Sequence, residues 1–298
     1  MFKKIVAIDD IGLNKWGENQ LKNYSNDVKL YYDVPKDNLE IISRIEDADC
    51  VLVSYTTIID KEVIENCPSI KYIGMCCSLY DEKSANVDIL SAREKDITVL
   101  GIRDYGDEGV VAYTISELLR LMHGFGKVQW KARPSELTNE KVGIIGLGTT
   151  GYMVAKALQA FGADIYYYSR TRKPHAEAED MKYLPLHDLL KTVNIVSTNL
   201  NKNTILLYED EFKAFGNGKI LVNTTLGATF SIDAIKNWLS DDSNYYLCDG
   251  AGIMNCEELK KLENVITVHK VSGSSYQCTE RLSQKVLENI KNYLNQTI

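Results

Sequence analysis

The sequence lacks several features that would place it in a special class of protein. Its seven cysteines are odd in number and include no C-x-x-C pair, so neither a disulfide framework nor a metal site is expected. Lysine and arginine form no block against 41 acidic residues, which argues against a nucleic-acid partner. The first apolar run stops at Asp9, short of a signal segment, and no stretch approaches the ~20 apolar residues of a membrane span. We therefore expect a cytoplasmic protein with buried thiols, no metal and no membrane contact.

What is present is ordinary globular composition, with 45% hydrophobic residues, in a chain of 298 residues that suits two domains. Apolar and amphipathic segments alternate in two series, separated by a long helical pattern over 109–126. This alternation predicts an α/β protein of two Rossmann-like, doubly wound parallel-sheet domains. The predicted strands are 5–8, 28–31, 50–54, 72–75, 98–101, 142–145, 165–168, 195–197, 220–223, 245–247 and 265–268.

A glycine-rich turn follows the first strand of the second series. Residues 141–151, K-V-G-I-I-G-L-G-T-T-G, form an apolar strand that runs into G-x-G-x-x-G and then a helix. In this context the first glycine permits a tight turn, the second lets the backbone approach a pyrophosphate, and the third lets the helix pack against the strand. The helix N-terminus favours phosphate. A dinucleotide is therefore expected to bind at Gly146, Gly148, Thr149, Thr150 and Gly151.

The next strand distinguishes the two nicotinamide dinucleotides. It is followed by Ser169, Arg170, Thr171 and Arg172, where NAD-binding domains place an acidic residue for the ribose hydroxyls. Hydroxyl and guanidinium groups suit a 2′-phosphate instead, because the arginine fork donates two parallel hydrogen bonds. We expect NADPH (NADP) at these four residues, with NAD the less suited cofactor.

Six further segments occur in an order that one enzyme family shares. They are 85–89 (A-N-V-D-I), 109–119, Trp130, 161–163 (F-G-A), 221–227 (L-V-N-T-T-L-G) and 264–273. From about Ile70 onward the chain thus resembles the D-isomer-specific 2-hydroxyacid dehydrogenases. The resemblance implies an NAD(P)-dependent oxidoreductase with a small-molecule substrate, usually a homodimer through the helix near 110–123. Asn199 and Thr224, which follow the predicted strands 195–197 and 220–223, join the expected cofactor-binding residues.

The resemblance also implies that one domain binds the substrate and the other the dinucleotide. Residues 1–102 plus 272–298 are expected to form a flavodoxin-like substrate domain, and residues 103–271 the dinucleotide-binding Rossmann domain. Where the family has a short substrate loop, this chain has an apparently longer one at 74–82, with a tyrosine and two acids.

The catalytic set of this family is largely replaced. Its carboxylate-binding arginine corresponds to Leu226, and its glutamate has no counterpart in 248–254. Alignment of 264–273 without gaps puts Lys270 at the position of the family's histidine, whereas a shift of one residue puts His269 there. Arg103, close before the long helix, is a candidate replacement anion anchor, with a solvated surface charge as the alternative. The predicted catalytic residues are therefore Lys270, His269 and Arg103.

Three functions are compatible with these residues. We favour an NADPH-dependent reductase of a C=O or C=N substrate other than a simple 2-keto acid, because Lys270 could neutralise the developing anion. The second is an ordinary 2-hydroxyacid dehydrogenase, like a glyoxylate or hydroxypyruvate reductase, with substituted side chains. The third is a non-catalytic dinucleotide sensor or partner-binding protein.

Overall fold

The computed structural model of the chain describes residues 1–202, 204–254 and 256–296. It divides into an N-terminal unit, formed by Met1–Tyr105 and the segment from Ser275 onward, and a central unit, Gly106–Ser274. Both boundaries lie a few residues further along the chain than the sequence suggested. The reason is local packing between the two ends of the central unit. The backbones of Gly106 and Gly273 approach each other so closely that a Cβ atom on Gly106 would lie 2.8 Å from the carbonyl oxygen of Gly273.

The N-terminal unit contains one parallel sheet. Its strands are β1 (Ile5–Ala7), β2 (Val28–Leu30), β3 (Cys50–Val53), β4 (Tyr72–Ser78) and β5 (Thr98–Ile102). They are arranged in the order β2-β1-β3-β4-β5, which is the flavodoxin-like doubly wound order. The helices of this unit are α1 (Lys15–Gln20), α2 (Asn38–Ile45), α3 (Lys61–Asn66), α4 (Ile89–Glu94) and the C-terminal helix Tyr276–Gln296.

Burial along the strands shows why both faces of this sheet carry helices. The neighbours Ile5 and Val6 are both fully buried, yet they belong to separate apolar clusters. Successive side chains of a strand point to opposite faces, so a continuous apolar run requires cover on both sides. The predicted α/β class with doubly wound parallel sheets is confirmed.

The central unit contains a seven-stranded parallel sheet. After helix α5 (Asp107–His123) come β6 (Lys141–Ile145), α6 (Thr149–Ala160), β7 (Asp164–Tyr168), α7 (Pro174–Glu177), β8 (Lys182–Tyr183), α8 (Leu186–Thr192), β9 (Ile195–Thr198), α9 (Glu209–Phe215), β10 (Ile220–Asn223), α10 (Ile232–Leu239), β11 (Tyr245–Cys248), α11 (Glu257–Lys260) and β12 (Val265–Thr267). The order is β12-β11-β10-β9-β6-β7-β8. The chain reverses direction across the sheet between β6 and β9, and ligands of doubly wound sheets bind at the carboxyl ends of the strands at such a point.

Three elements differ from the sequence-based expectation. The long helix ends at His123 because Gly124 adopts a φ of +68°. Strand β8 is only two residues long, too short to produce a periodic pattern. The expected loop at 74–82 is wrong in its first half, because β4 continues to Ser78 through a register shift against β5. Cys76 and Cys77 are consequently buried strand residues, and the loop begins only at Leu79.

Two further properties concern the described part of the chain. None of its helices combines the length and apolar character needed to cross a membrane. Nor do three or more His, Cys, Asp or Glu side chains of that part come together in a group that could hold a metal ion.

Candidate dinucleotide and active site

The glycine turn after β6 is shaped by two positions that have no space for a side chain. Gly146 has a φ of +94°, and a Cβ atom there would lie 2.2 Å from the carbonyl oxygen of Asn199. A Cβ atom on Gly151 would lie 2.1 Å from the carbonyl oxygen of Gly146. Both distances are far inside van der Waals contact, so these glycines are what allows the turn and the close packing of α6 on the strand ends.

Gly148 is different, because nothing lies within 4 Å of the place its Cβ atom would occupy. It is the N-cap residue of α6, and no side chain in the described part of the chain caps that helix. The backbone N–H groups that open α6 therefore have no side-chain acceptor among the described residues. Free amides at a helix N-terminus, beside a backbone with no side chain, fit the phosphates of a dinucleotide.

These two kinds of glycine predict opposite outcomes for the same substitution. Gly148→Ala should leave the free energy of unfolding within ~0.5 kcal/mol of the parent value but weaken dinucleotide binding about tenfold, because its methyl group occupies the approach of the phosphates. Gly151→Ala should destabilise the protein by ~2–3 kcal/mol through overpacking against a backbone carbonyl. Thermal unfolding and fluorescence titration of both variants test this. Loss of stability in Gly148→Ala would contradict it.

Asn199 lies beside the glycine turn, at the carboxyl end of β9. Its backbone N–H donates to the Ile145 carbonyl over 2.8 Å, and its side-chain Nδ2 donates to Ser197. Its Oδ1 atom is buried and has no hydrogen-bond partner among the described residues. An unpaired buried acceptor destabilises the folded protein, so this oxygen is suited to accept a hydrogen bond from a hydroxyl group of a bound dinucleotide.

Thr224 directly follows β10 and is half-buried. The neighbouring Thr225 makes the structural link here. Its hydroxyl accepts from the backbone N–H of Leu200 and donates to the carbonyl of Thr198, both over 3.4 Å. Thr225 was not singled out from the sequence, because a contact between two strand ends leaves no local pattern.

Arg170 and Arg172 follow β7 in different states. Arg170 is exposed, and no hydrogen bond or ion pair joins it to another described residue. Arg172 donates from Nε to Glu177 over 2.9 Å and pairs with the same carboxylate through Nη2. The Ser169 hydroxyl donates to the Thr171 carbonyl over 2.5 Å, which shapes the turn. One guanidinium is thus available to a phosphate, and the other is already engaged.

Glu177 was missed in the sequence and is the internal counter-ion of this turn. Besides Arg172, it accepts a hydrogen bond from the Tyr167 hydroxyl over 2.8 Å. The Arg172 guanidinium, and then the Tyr167 hydroxyl, hold the pKa of the Glu177 carboxyl below its ordinary value. Glu177 therefore stays ionised and competes with any phosphate for Arg172.

His269 and Lys270 follow β12, on the carboxyl edge of the central sheet, and both side chains are exposed. The Lys270 carbonyl accepts from the backbone N–H of Gly250 over 2.9 Å, and a Cβ atom on Gly250 would lie 3.0 Å from the His269 carbonyl oxygen. The backbone of this pair is thus held against the end of β11. The pKa of the nearby Glu257 lies below its ordinary value, mainly because of its hydrogen bond with Lys260, and His269 makes a smaller contribution in the same direction.

Asp249 reinforces that arrangement. Its fully buried carboxylate accepts from the backbone N–H groups of Ala251 and Gly252 at 3.0 and 2.8 Å, and from both the N–H and the hydroxyl of Ser272 at 2.7 Å. The first two bonds shape the segment after β11, and the two from Ser272 join it to the segment that carries Lys270. The sequence did not single out Asp249, since its partners are distant along the chain.

Two positions bear on how the protein could bind a substrate anion: Leu226, at the position of the family's arginine, and Arg103, the candidate replacement anchor. Leu226, which follows β10, is 47% exposed and offers no polar atom beyond its backbone. Arg103 lies in the N-terminal unit, where its Nε and Nη2 atoms donate to the carbonyls of Leu79 and Tyr80, both over 2.6 Å. Much of its guanidinium therefore holds the loop after β4.

The structure brings most of the predicted site residues to one edge of the central sheet. The carboxyl ends of β6, β7, β9, β10 and β12 carry the glycine turn, the Ser169–Arg172 turn, Asn199, Thr224 and the His269–Lys270 pair, respectively. Thr149 and Thr150 open α6, and the hydroxyl of Thr150 donates to Asp107. Arg103 belongs to the other unit.

A doubly wound sheet with a glycine turn at the point where its strand order reverses defines a Rossmann-type, dinucleotide-binding protein. The chain belongs to the D-isomer-specific 2-hydroxyacid dehydrogenases, a family of NAD(P)-dependent oxidoreductases. The family model described as "D-isomer specific 2-hydroxyacid dehydrogenase, NAD binding domain" matches residues 114–269. The resemblance inferred from the sequence is confirmed.

Similar proteins include two named reductases and one solved structure. The chain is 27% identical to a glyoxylate reductase of Thermococcus litoralis over 84% of its own length and 82% of the relative's. It is 26% identical to a hydroxypyruvate reductase of Blautia hydrogenotrophica over 86% and 85%. A solved acyclic imino acid reductase in complex with NADPH and D-arginine has the same fold, with a TM-score of 0.80, 23% identity, and coverage of 98% and 97%.

Proposed function

We propose that this protein is an NADPH-dependent reductase of a small molecule that carries a C=O or C=N group and is not a simple 2-keto acid. The observation that carries the proposal is Leu226, which stands where the family's carboxylate-binding arginine is expected. Bound nicotinamide would supply the hydride, and the protein's own residues would bind and orient both reactants.

The preference for NADPH is supported by the turn after β7. No acidic residue occurs in Ser169–Arg172, and the Arg170 guanidinium is not engaged by any described residue. A 2′-phosphate placed there would gain a charge-assisted hydrogen bond, whereas the ribose hydroxyl of NADH would find no carboxylate partner in the turn. Arg172 is a weaker contributor because Glu177 already occupies two of its donors.

The exclusion of simple 2-keto acids follows from charge. A carboxylate that loses water on binding needs a cation or several hydrogen-bond donors in return. Leu226 supplies neither, and two of the donors of Arg103 are taken by backbone carbonyls. A C=N substrate requires a weaker proton donor from the protein than a ketone does, because its nitrogen is basic and readily protonated. The shared fold of the acyclic imino acid reductase is compatible with such chemistry.

Lys270 is the residue that we expect to deliver the proton. Its side chain is exposed on the sheet edge where the dinucleotide is expected, while its backbone is fixed by the bond from Gly250. An ammonium group there can donate a hydrogen bond to the substrate heteroatom and stabilise negative charge as it develops.

Measured turnover tests the proposal. In an NADPH-oxidation assay, pyruvate, glyoxylate and hydroxypyruvate should be poor substrates compared with the best member of a panel of other keto acids, cyclic imines and pterins. Leu226→Arg should raise kcat/KM for glyoxylate by about tenfold or more, because a charge-assisted pair is worth ~1.5–3 kcal/mol. Leu226→Met is the matched control. Brisk parent turnover of any of the three simple acids would refute the substrate assignment.

The relatives named glyoxylate and hydroxypyruvate reductase favour a second function, an ordinary 2-hydroxyacid dehydrogenase with substituted side chains. The same assay separates it, since it requires rapid reduction of glyoxylate or hydroxypyruvate by the parent protein. Tight NADPH binding without turnover of any substrate would instead favour a dinucleotide sensor.

A homodimer, expected from the family, stays a prediction that sedimentation analysis can check.

A further inference from the structure

A carboxylate lies beside the phosphate-binding end of helix α6. Asp107, the first residue of α5, accepts a hydrogen bond at Oδ1 from the hydroxyl of Thr150. Thr150 is the second residue of α6, so its backbone N–H is one of the uncapped amides expected to face a phosphate. The two helices pack against each other in the central unit. Asp107 is therefore next to the expected dinucleotide site without belonging to any motif that the sequence revealed.

This carboxylate is held in place by close backbone packing, and no cationic side chain of a described residue pairs with it. Gly106 and Gly109 flank it, and Cβ atoms on them would lie 2.8 Å from the Gly273 carbonyl oxygen and 2.2 Å from that of Ser272. The first turn of α5 thus has backbone packed against backbone and cannot shift away. Among the described residues no lysine, arginine or histidine forms an ion pair with Asp107.

The hydrogen bond from Thr150 to Asp107 implies repulsion between this carboxylate and a pyrophosphate bound at the start of α6. A phosphate oxygen in contact with the Thr150 hydroxyl oxygen would lie about 6 Å from the Asp107 carboxylate, because two successive polar contacts span that distance. This is less than the Debye length of about 8 Å at physiological ionic strength, so dissolved salt screens the repulsion only in part. Thr150 also has a single hydroxyl hydrogen, and as long as Asp107 accepts it, a phosphate cannot.

We propose that Asp107 sets the affinity and the release rate of the dinucleotide site, because its charge lowers the affinity for any ligand with a pyrophosphate and speeds its departure. This inference rests on the proposed dinucleotide function. Because the repulsion acts on the pyrophosphate, it affects NADPH and NADH alike. That separates it from the Ser169–Arg172 turn, which discriminates between the two. An enzyme of this kind must release its oxidised cofactor in every cycle, and a fixed negative charge favours that step.

Asp107→Asn tests the inference by binding alone. Asparagine keeps an Oδ1 acceptor for the Thr150 hydroxyl but removes the charge. The dissociation constants of NADPH, NADH and ADP-ribose should each fall by about tenfold, the size expected for removing repulsion from two phosphate charges at this distance. The effect should shrink at high salt, and the dissociation rate of NADPH in stopped-flow displacement should fall by a similar factor. Glu117→Gln, which removes a charge about 15 Å further along the same helix, should change these constants little.

Thr150→Val provides an independent measurement of opposite sign. It removes the hydroxyl whose hydrogen bond partly offsets the carboxylate charge but leaves the carboxylate, so the repulsion should increase and all three ligands should bind more weakly than to the parent protein. Unchanged or weaker binding in Asp107→Asn, or tightening confined to NADPH, would overturn the inference. If the parent protein binds neither dinucleotide, the proposed cofactor itself is wrong. If the parent protein binds them and Asp107→Asn does not bind them more tightly, only the role of Asp107 is wrong.

Discussion

Replacing Lys270 with alanine is expected to lower kcat by about 100-fold and to leave NADPH affinity nearly unchanged, because general acid catalysis contributes about this much. Lys270 is exposed on the carboxyl edge of the central sheet, and its backbone is tied to the end of β11 through Gly250. The proposed phosphate contacts lie elsewhere, on α6 and after β7, so removal of the ammonium group should not disturb them. Steady-state kinetics with the best substrate of the panel, and NADPH titration, give the two readouts.

His269→Ala is the matched control for this experiment. The two side chains are adjacent and exposed, and they share a backbone held in the same way, so a purely structural effect should appear in both variants. We expect His269→Ala to lose much less activity. A large loss in His269→Ala with full turnover in Lys270→Ala would instead assign the acid/base position to the histidine. Lys270→Arg should restore part of kcat if positive charge is the main contribution.

Replacing Arg170 with alanine is expected to raise the dissociation constant of NADPH by about 10- to 100-fold, since one or two charge-assisted hydrogen bonds of ~1.5–3 kcal/mol each are lost. The dissociation constant of NADH should not change, because it carries no 2′-phosphate. In the parent protein NADPH should bind at least about tenfold more tightly than NADH for the same reason. Fluorescence titration of both dinucleotides measures this. Equal affinities in the parent protein would refute the assignment to NADPH.

Arg172 and Glu177 supply the comparison variants. Arg172→Ala should cost less affinity for NADPH than Arg170→Ala, because Glu177 already accepts two hydrogen bonds from that guanidinium. Glu177→Gln should act in the opposite direction and tighten NADPH binding about threefold, since it removes an anion that competes with the phosphate. If Arg172→Ala were the more damaging change, the paired arginine would have to exchange Glu177 for the phosphate on binding.

Much of the fold could be predicted from local sequence. Apolar strands that alternate with amphipathic helices define the two parallel sheets, and the glycine turn after β6 could be placed from spacing alone. Strand β4 is the instructive exception. Comparison with the family predicts a loop over 74–82, yet Cys76, Cys77 and Ser78 extend the predicted strand through a register shift. Such a shift depends on the neighbouring strand β5, which local sequence does not encode.

The sequence by itself determined the family, the glycine turn, the missing acid after β7 and the leucine at the position of the carboxylate-binding arginine. Each of these depends on residue identity at a known place in one chain segment. Only the tertiary structure decided which side chains are free to act. Arg170 has no hydrogen-bond or ion-pair partner in the described part of the chain, whereas Arg172 pairs with Glu177, and two donors of Arg103 are used by backbone carbonyls. Asp107 meets Thr150 across 43 residues, because hydrogen bonds and charge repulsion depend on distance in space, which sequence spacing does not report.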